Sequence, residues 1–252
     1  MISERKFIVV IPARYDSVRL PGKPLIDICG KPMIVRVFEI ANMSSALEII
    51  IATDDERIVD VCSKYNIKAE LTSGKHTCGT DRIFEIAEKK SWSDNQIVVN
   101  LQGDEPLMPA NLIDQVANIL IDRPEFMMST LYTKIKDFNE WTNKDVAKVI
   151  LSRDDRAMYF SRAPIPFFRD ASANFKHIKK HIGLYAYTVK AIKKIASSAK
   201  APIEEIEKLE QLRALWLGID IVAEESLKEA PISVDTHEDL LKAREIYLSM
   251  KN

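Results

Sequence analysis

Three cations follow one short apolar run near the start of the chain. Residues 7–11 are almost all β-branched and apolar, and Arg14, Arg19 and Lys23 lie in the cationic loop (residues 14–24) behind them. Such a run predicts a buried strand of a parallel sheet, and open α/β sheets bind ligands at the carboxyl ends of their strands. Converging cations need an anion, and a triphosphate suits both guanidinium and ammonium groups. A solvated basic turn is the alternative interpretation.

The cationic loop does not match the glycine-rich phosphate-binding patterns. Lys23 is followed by Pro24, and the upstream glycine of a Walker A loop is missing. No Gly-x-Gly-x-x-Gly dinucleotide pattern occurs anywhere in the chain. We therefore expect side chains, more than a backbone cradle, to hold phosphate groups here.

Two aspartates are candidates for holding a magnesium ion. Asp104 follows a predicted strand at residues 97–101, at the sheet edge that also carries the cationic loop. The alternative for Asp104 is a turn or capping residue. Asp235 is the second candidate, and its alternative is a helix cap, for which the neighbouring Thr236 hydroxyl is also suited. Two carboxylates that share magnesium suit phosphoryl-type transfer.

Polar side chains in the second half are candidates for binding a small polar substrate. Alternation along a predicted strand places His181 and Tyr185 on one face, which suits a polyol or a carboxylate. A structural His is the alternative. Glu210 and Gln211 lie on a predicted helix, where solvated surface residues are the alternative. The chain lacks the nucleophile patterns of covalent hydrolases, so that class is not expected.

The elements that must position these residues alternate along the first half of the chain. Apolar runs predict strands at residues 7–11, 47–52, 69–71 and 97–101, and helices begin near residues 32, 54, 80 and 111. Such alternation predicts an α/β fold with a doubly wound, mostly parallel sheet.

The second half is less regular. The patterns predict strands at residues 127–131, 146–151, 182–188 and 219–223, and helices at residues 189–196, 203–217 and 238–250. Residues 134–145 are expected to form a polar connection and residues 161–170 an extended loop. We expect one domain over residues 1–252, with an inserted arm at roughly 131–182.

Composition excludes several function classes. The 252 residues are 46% hydrophobic and carry a formal net charge of −1, which argues against general binding to nucleic acid or anionic membranes. Three cysteines without metal-type spacing fit a reducing cytoplasm. The start of the chain does not resemble a signal peptide, and no apolar run approaches the ~20 residues of a membrane-spanning helix. We expect a soluble cytoplasmic protein with no nucleic-acid or membrane partner.

Eight ordered segments carry a family resemblance over almost the full chain. They are residues 11–25, 52–55, 79–82, 100–106, 159–166, 181–187, 209–213 and 234–236. Together they resemble the cytidylyltransferases that activate 3-deoxy-manno-octulosonate (Kdo). The first segment is shared with other sugar nucleotidyltransferases, whereas the ordered set is specific to this family.

The resemblance implies a Rossmann-like nucleotidyltransferase fold and a defined reaction. The 2-hydroxyl of Kdo attacks the α-phosphorus of CTP, giving CMP-Kdo and pyrophosphate for lipopolysaccharide biosynthesis, with Mg²⁺ as the cofactor. No protein nucleophile is required. The inserted arm is then the contact of a homodimer.

The resemblance also implies roles for individual residues. Arg14 and Lys23 hold the triphosphate and stabilise developing charge, and Asp104 and Asp235 are the magnesium ligands and complete the catalytic set. The residues implied to bind the nucleotide are Pro12, Ala13, Arg14, Ser17, Arg19, Lys23, Ser73, Cys78, Gly79, Asp81 and Gln102. Those implied to bind the sugar acid are Gln102, Arg162, His181, Tyr185, Glu210 and Gln211, with Arg162 as the carboxylate partner. Cys78 departs from the family pattern, which usually has Ser at this position.

Three alternatives to Kdo activation stay open. The same transfer could act on 8-amino-Kdo or on another sugar acid, such as a sialic acid. A glycosyltransferase of similar architecture would need an Asp-x-Asp motif, and residues 102–104 offer only Asp104. A non-catalytic nucleotide-binding homologue is the third alternative.

Overall fold

A nine-stranded sheet crosses the molecule in the computed structural model, which describes residues 6–17, 19–76, 78–169, 174–229 and 232–249. Its strands are β1 (Phe7–Ala13), β4 (Glu48–Thr53), β5 (Ala69–Leu71), β6 (Ile97–Asn100), β7 (Met128–Lys134), β8 (Lys148–Leu151), β9 (Ala157–Ser161), β10 (Lys179–Thr188) and β11 (Ile221–Glu225). A separate two-stranded ribbon consists of β2 (Asp27–Ile28) and β3 (Lys31–Pro32).

Helices cover both faces of the sheet. They are α1 (Met33–Ala41), α2 (Glu56–Lys64), α3 (Gly79–Lys89), α4 (Ala110–Asp122), α5 (Phe138–Thr142), α6 (Val189–Ala196), α7 (Pro202–Glu207), α8 (Gln211–Trp216) and α9 (His237–Ser249). Short 3₁₀ turns occur at Lys23–Leu25 and Phe175–His177. Among the described ranges, no helix is both long and apolar enough to span a bilayer.

Strand β1 is the centre of the parallel half of the sheet. It lies between β6 and β4 in parallel register, and β5 follows β4 at the edge. All seven residues of β1 are buried, which explains why its sequence is a continuous apolar run. The strand predicted at residues 7–11 is confirmed, but it continues through Pro12 and Ala13, which pair with Ala52 and Thr53.

Strand β10 is antiparallel to both of its main neighbours. It lies between β6 and β7 and is antiparallel to each, whereas β11 is parallel to β7. In the described sheet β9 and β10 run opposite to the other seven strands. The predicted α/β fold with a mostly parallel sheet is therefore confirmed, while the reversal at β10 is not part of the prediction.

The helix predicted over residues 203–217 is wrong as a single element. The structure divides it into α7 and α8, and Lys208 between them has a left-handed backbone with φ 53°. Glu204 and Arg213 explain the break, because their side chains form a buried pair with N–O distances of 2.6 and 2.8 Å. In a continuous helix these residues would be separated by about 13 Å along the axis. The chain therefore folds back to pair them.

The predicted arm contains two elements that the sequence pattern does not indicate. Helix α5 lies inside residues 134–145, which we expected to be a polar connection, and the Asp137 carboxylate caps it by accepting from the Glu140 amide. Strand β9 pairs with β8 as a hairpin and includes Ser161, the first residue of the predicted extended loop. Asp170, the end of that loop, lies outside the described residues.

Candidate active site

Lys23 connects the two candidate metal-binding aspartates. Its Nζ atom lies 2.6 Å from Asp104 Oδ2 and 2.8 Å from Asp235 Oδ1, and the lysine is only 9% exposed. Arg19 Nη2 lies 3.0 Å from the same Asp235 oxygen. Two carboxylates and two cations from three distant parts of the chain therefore meet at one point.

The local fold of the cationic loop places Lys23 at this point. Gly22 has a left-handed φ of 66°, and its amide donates to the Tyr15 carbonyl at 3.2 Å, which closes the loop. The Tyr15 ring lies against Gly22 and is covered on its face by the Arg57 guanidinium, 3.3 Å from the ring centroid. Lys23 then begins a 3₁₀ turn directed at the carboxylates.

The two aspartates reach the site from adjoining loops. The Val234 amide donates to the Asp104 carbonyl at 2.9 Å, which joins the loop after β6 to the segment before α9. Thr236 caps α9, because its hydroxyl accepts from the Asp239 amide at 3.2 Å. Asp235 is therefore not the cap of this helix, and its carboxylate faces the two cations.

An open cavity of about 470 Å³ lies beside this cluster. Its lining includes both predicted metal ligands, Asp104 and Asp235, and nine of the eleven residues predicted to bind the nucleotide, which are Pro12, Ala13, Arg14, Ser17, Arg19, Lys23, Cys78, Gly79 and Gln102. Ser73 and Asp81 are not among its lining residues. The Ser73 amide instead donates to Glu85 Oε2 at 2.8 Å, and Asp81 borders a separate groove.

A second cavity of about 550 Å³ adjoins the first. The two share four lining residues, which are Arg14, Cys78, Gly79 and Gln102. The remaining lining of the second cavity is Asn100, Lys200, Glu204, Glu205, Lys208, Glu210 and Arg213. Two adjoining cavities suit an enzyme that brings two substrates together.

Glu210 is a buried carboxyl group at the wall of the second cavity. The Thr80 hydroxyl donates to it, and burial raises the pKa of Glu210 above its usual value. Nearby, burial and the Glu210 charge raise the pKa of the Cys78 thiol to about 12. Cys78 therefore presents a neutral thiol to both cavities, and Glu210 is not the solvated helix residue of the alternative interpretation.

His181 and Tyr185 share one face of β10, as alternation predicts. Their ring centroids are 5.1 Å apart, and the His181 ring also contacts Phe160 at 5.0 Å. Burial lowers the pKa of His181 to about 3, so the imidazole is neutral at physiological pH. Thr130 Oγ1 lies 3.0 Å from His181 Nε2. Neither ring belongs to the lining of the two cavities, and the same holds for the buried Gln211.

The Arg162 guanidinium is occupied by backbone carbonyls. Its Nε donates to Glu207 O at 2.8 Å and its Nη1 to Lys144 O at 3.0 Å, while its amide donates to the Glu207 carboxylate. These contacts join the arm to α7. The role of carboxylate partner stays a prediction for Arg162, because the described contacts direct its charge elsewhere.

Arg82 is a cavity residue that the sequence analysis does not single out. It is 1% exposed, lines the first cavity, and donates to Asp54 Oδ2 at 2.8 Å and to the Thr72 hydroxyl. Helical spacing could have identified Arg82, because it lies three residues after Gly79 and therefore on the same inward face of α3.

The described residues contain no group of three or more His, Cys, Asp or Glu side chains arranged to hold a metal ion. The arrangement that does occur is the Asp104–Asp235 pair, whose oxygens already converge on a single cationic atom, Lys23 Nζ. Hard cations such as Mg²⁺ prefer one or two carboxylates together with substrate oxygens, so the pair fits such an ion.

Known proteins resemble this chain over nearly its whole length. The cytidylyltransferase family profile matches residues 8–221. A 3-deoxy-manno-octulosonate cytidylyltransferase from Francisella tularensis subsp. holarctica is 46% identical over 95% of this chain and 97% of its own. One from Polynucleobacter asymbioticus is 46% identical over 95% of each chain.

A solved structure shares the fold closely. The structure of CMP:2-keto-3-deoxy-manno-octonic acid synthetase in complex with CTP superposes with a TM-score of 0.91, at 37% identity over 97% of this chain and 99% of the other. A 4-diphosphocytidyl-2C-methyl-D-erythritol synthase from Anaerococcus prevotii, at 20% identity and a TM-score of 0.62, shares the fold alone. The family resemblance drawn from the ordered motifs is thus confirmed: this chain belongs to the 3-deoxy-manno-octulosonate cytidylyltransferases of the cytidylyltransferase family.

Proposed function

We propose that this enzyme transfers the cytidylyl group of CTP to the 2-hydroxyl of Kdo, releasing pyrophosphate and supplying CMP-Kdo for lipopolysaccharide biosynthesis. The observation that carries the proposal is the meeting of Lys23 with Asp104 and Asp235 beside the first cavity. The names of the relatives and the CTP bound to a structural neighbour support the same substrates.

The triphosphate occupies the first cavity in this proposal. Arg14, Arg19 and Lys23 line that cavity and supply three positive charges to the phosphoryl oxygens and to the departing pyrophosphate. The Arg14 side chain has no hydrogen bond or ion pair within the described part of the chain, so its guanidinium can bind phosphate without first breaking a contact. The remaining nucleotide contacts are proposed for Pro12, Ala13 and the loop that carries Ser73 and Cys78.

Asp104 and Asp235 would hold Mg²⁺ in this proposal. When bound, the ion neutralises phosphate charge and polarises the attacking hydroxyl. Lys23 contacts both carboxylates, so a cation between them competes with its ammonium group for the same oxygens. We therefore expect Lys23 to turn from the carboxylates to the phosphates when the nucleotide binds.

The sugar acid occupies the second cavity, next to the α-phosphate. Gln102 lies at the boundary of both cavities, and Glu210 offers a carboxyl group that can accept from sugar hydroxyls. The oxygen of the Kdo 2-hydroxyl releases its proton to solvent and forms the new bond to the α-phosphorus, while the bond from that phosphorus to the bridging oxygen of the β-phosphate breaks and pyrophosphate leaves. His181, Tyr185 and Gln211 lie outside the lining of the second cavity, and their contacts with the sugar remain predictions.

A homodimer through the arm, residues 131–182 of a single domain, is part of the proposal. The arm exposes large apolar side chains, with Phe138 57%, Met158 63% and Phe167 82% exposed. Exposed apolar patches of this kind commonly mark protein interfaces. Sedimentation analysis of the purified chain tests the dimer. A cytoplasmic location is also proposed, because Cys29, Cys62 and Cys78 are free thiols.

A comparison of sugar acids tests the proposed reaction. The purified enzyme is incubated with CTP, Mg²⁺ and Kdo, 8-amino-Kdo or N-acetylneuraminate, and pyrophosphate release and CMP-sugar mass are measured. The proposal expects the highest kcat/KM with Kdo. Faster turnover of another acid would reassign the substrate, and CTP binding without any release would favour the non-catalytic alternative.

A further inference from the structure

Helix α9 is joined to both carboxylate loops and shares a buried apolar cluster with the cationic loop. Asp235 lies two residues before its first residue. Along its length, Leu240 and Ala243 belong to the same buried apolar cluster as Leu20 of the cationic loop. At its far end the Tyr247 hydroxyl donates to the Pro106 carbonyl at 2.5 Å, two residues beyond Asp104. One helix therefore reaches both carboxylate loops, one from each of its ends.

The end of α9 is fixed by further contacts around Tyr247. Arg244 donates from Nε and Nη2 to the Asp27 carbonyl at 3.1 and 2.7 Å. Arg36, which is 8% exposed, covers the Tyr247 ring with its guanidinium 4.8 Å from the centroid. Burial raises the pKa of Tyr247 to about 12, so its hydroxyl remains a donor across the physiological range.

We propose that Tyr247 is a positioning residue: through its hydrogen bond to Pro106, α9 holds the Asp104 loop at a fixed distance from Asp235 and so sets the separation of the two carboxylates. This inference rests on the proposed metal-binding role of Asp104 and Asp235. Tyr247 itself lies outside the lining of the cavities and does not contact the carboxylates, so its effect passes through the backbone of residues 104–106.

The Tyr247→Phe variant tests the proposal, since it removes one hydroxyl and keeps the ring that packs against Arg36. Tyr65→Phe is the matched control, because the 40% exposed Tyr65 side chain makes no hydrogen bond within the described residues. Binding of Mn²⁺ is measured by electron paramagnetic resonance in the presence of a non-hydrolysable CTP analogue. Steady-state kinetics at varied Mg²⁺ and melting temperatures accompany it.

We expect Tyr247→Phe to bind Mn²⁺ three- to tenfold more weakly, with lower kcat at limiting Mg²⁺ and an almost unchanged KM for Kdo. Tyr65→Phe should match the parent. Parent-like Mn²⁺ affinity in a folded Tyr247→Phe enzyme would overturn the positioning role alone. Absence of Mn²⁺ binding in the parent would instead overturn the proposed metal site, and this inference with it.

Discussion

Gly103 lies directly against the carbonyl of Pro12. A Cβ atom built on Gly103 would be 2.9 Å from the Pro12 oxygen, closer than real Cβ contacts. The carboxyl end of β1 and the loop after β6 thus approach each other by backbone contact, and a side chain here would separate β1 from the Asp104 loop.

Gly103→Ala should therefore damage both stability and activity. The clash is with backbone, which cannot rotate away, so we expect a loss of about 1–3 kcal/mol in the free energy of unfolding. Urea unfolding and the rate of pyrophosphate release measure the two effects. Gly183→Ala is the control, since nothing lies within 4 Å of its added Cβ. Equal stability of the two variants would contradict the close approach.

Lys23→Ala should lower turnover by roughly 10²–10⁴, because the variant loses the charge that stabilises the phosphoryl oxygens in the transition state. Initial rates of pyrophosphate release at saturating CTP and Kdo measure this. Lys64→Ala, at an exposed position of α2, should behave as the parent enzyme. A Lys23→Ala enzyme within a few-fold of the parent would remove Lys23 from the catalytic set.

Asp104→Asn keeps the shape of the side chain and removes its charge. We expect a rate loss of roughly 10²–10⁴, and chelation of divalent ions by EDTA should abolish activity of the parent. Adding Mg²⁺ back should restore the parent but not the variant at equal concentration. Asp60→Asn, exposed on α2, is the matched control. Full activity of Asp104→Asn, or of the parent in EDTA, would refute the metal assignment.

His181 should make the protein less stable in mild acid. Its pKa is about 3 in the native state and about 6.5 in an unfolded chain, so the unfolded state binds the additional proton between these values. Stability from this group is complete above pH 6.5 and falls as the pH decreases toward 3. At pH 5 the loss in the free energy of unfolding is about 2 kcal/mol, because each pH unit below the unfolded pKa corresponds to about 1.4 kcal/mol.

Urea unfolding at pH 7.5 and pH 5.0 checks this prediction. The free energy of unfolding should change less between the two pH values in His181→Gln than in the parent. His177→Gln, at an exposed position, should keep the parental difference. If His181→Gln and the parent lose the same stability, the neutral buried imidazole is not the cause.

The sequence predicts the structure best at strands that are buried on both faces and at the carboxyl ends of those strands. The continuous apolar run at residues 7–11 predicts β1 correctly, and the rule that ligands bind at strand ends brings Lys23 and Asp104 to one edge. Their contact at 2.6 Å agrees with that expectation. The helix cap at Thr236 is likewise a local feature and was predictable from its residue type.

The features that the sequence did not predict depend on contacts between residues that are far apart in the chain. An alternating strand pattern contains no information about direction, so the reversal of β10 was not predictable. The break at Lys208 depends on the pairing of Glu204 with Arg213, although the local periodicity continues through it. The sequence around Arg162 gives no sign of its partners. The fold shows that its guanidinium donates to the carbonyls of Lys144 and Glu207.

The position of β10 has a consequence for how the chain is made. Strand β6 ends at Asn100, and in the described part of the chain its edge away from β1 is covered by residues 185–188 of β10. During synthesis, the 84 residues from 101 to 184 must therefore leave the ribosome before that edge is covered. Open strand edges recruit other chains. Nascent chains stalled within this interval should be the form of the protein most prone to aggregate and most dependent on chaperones.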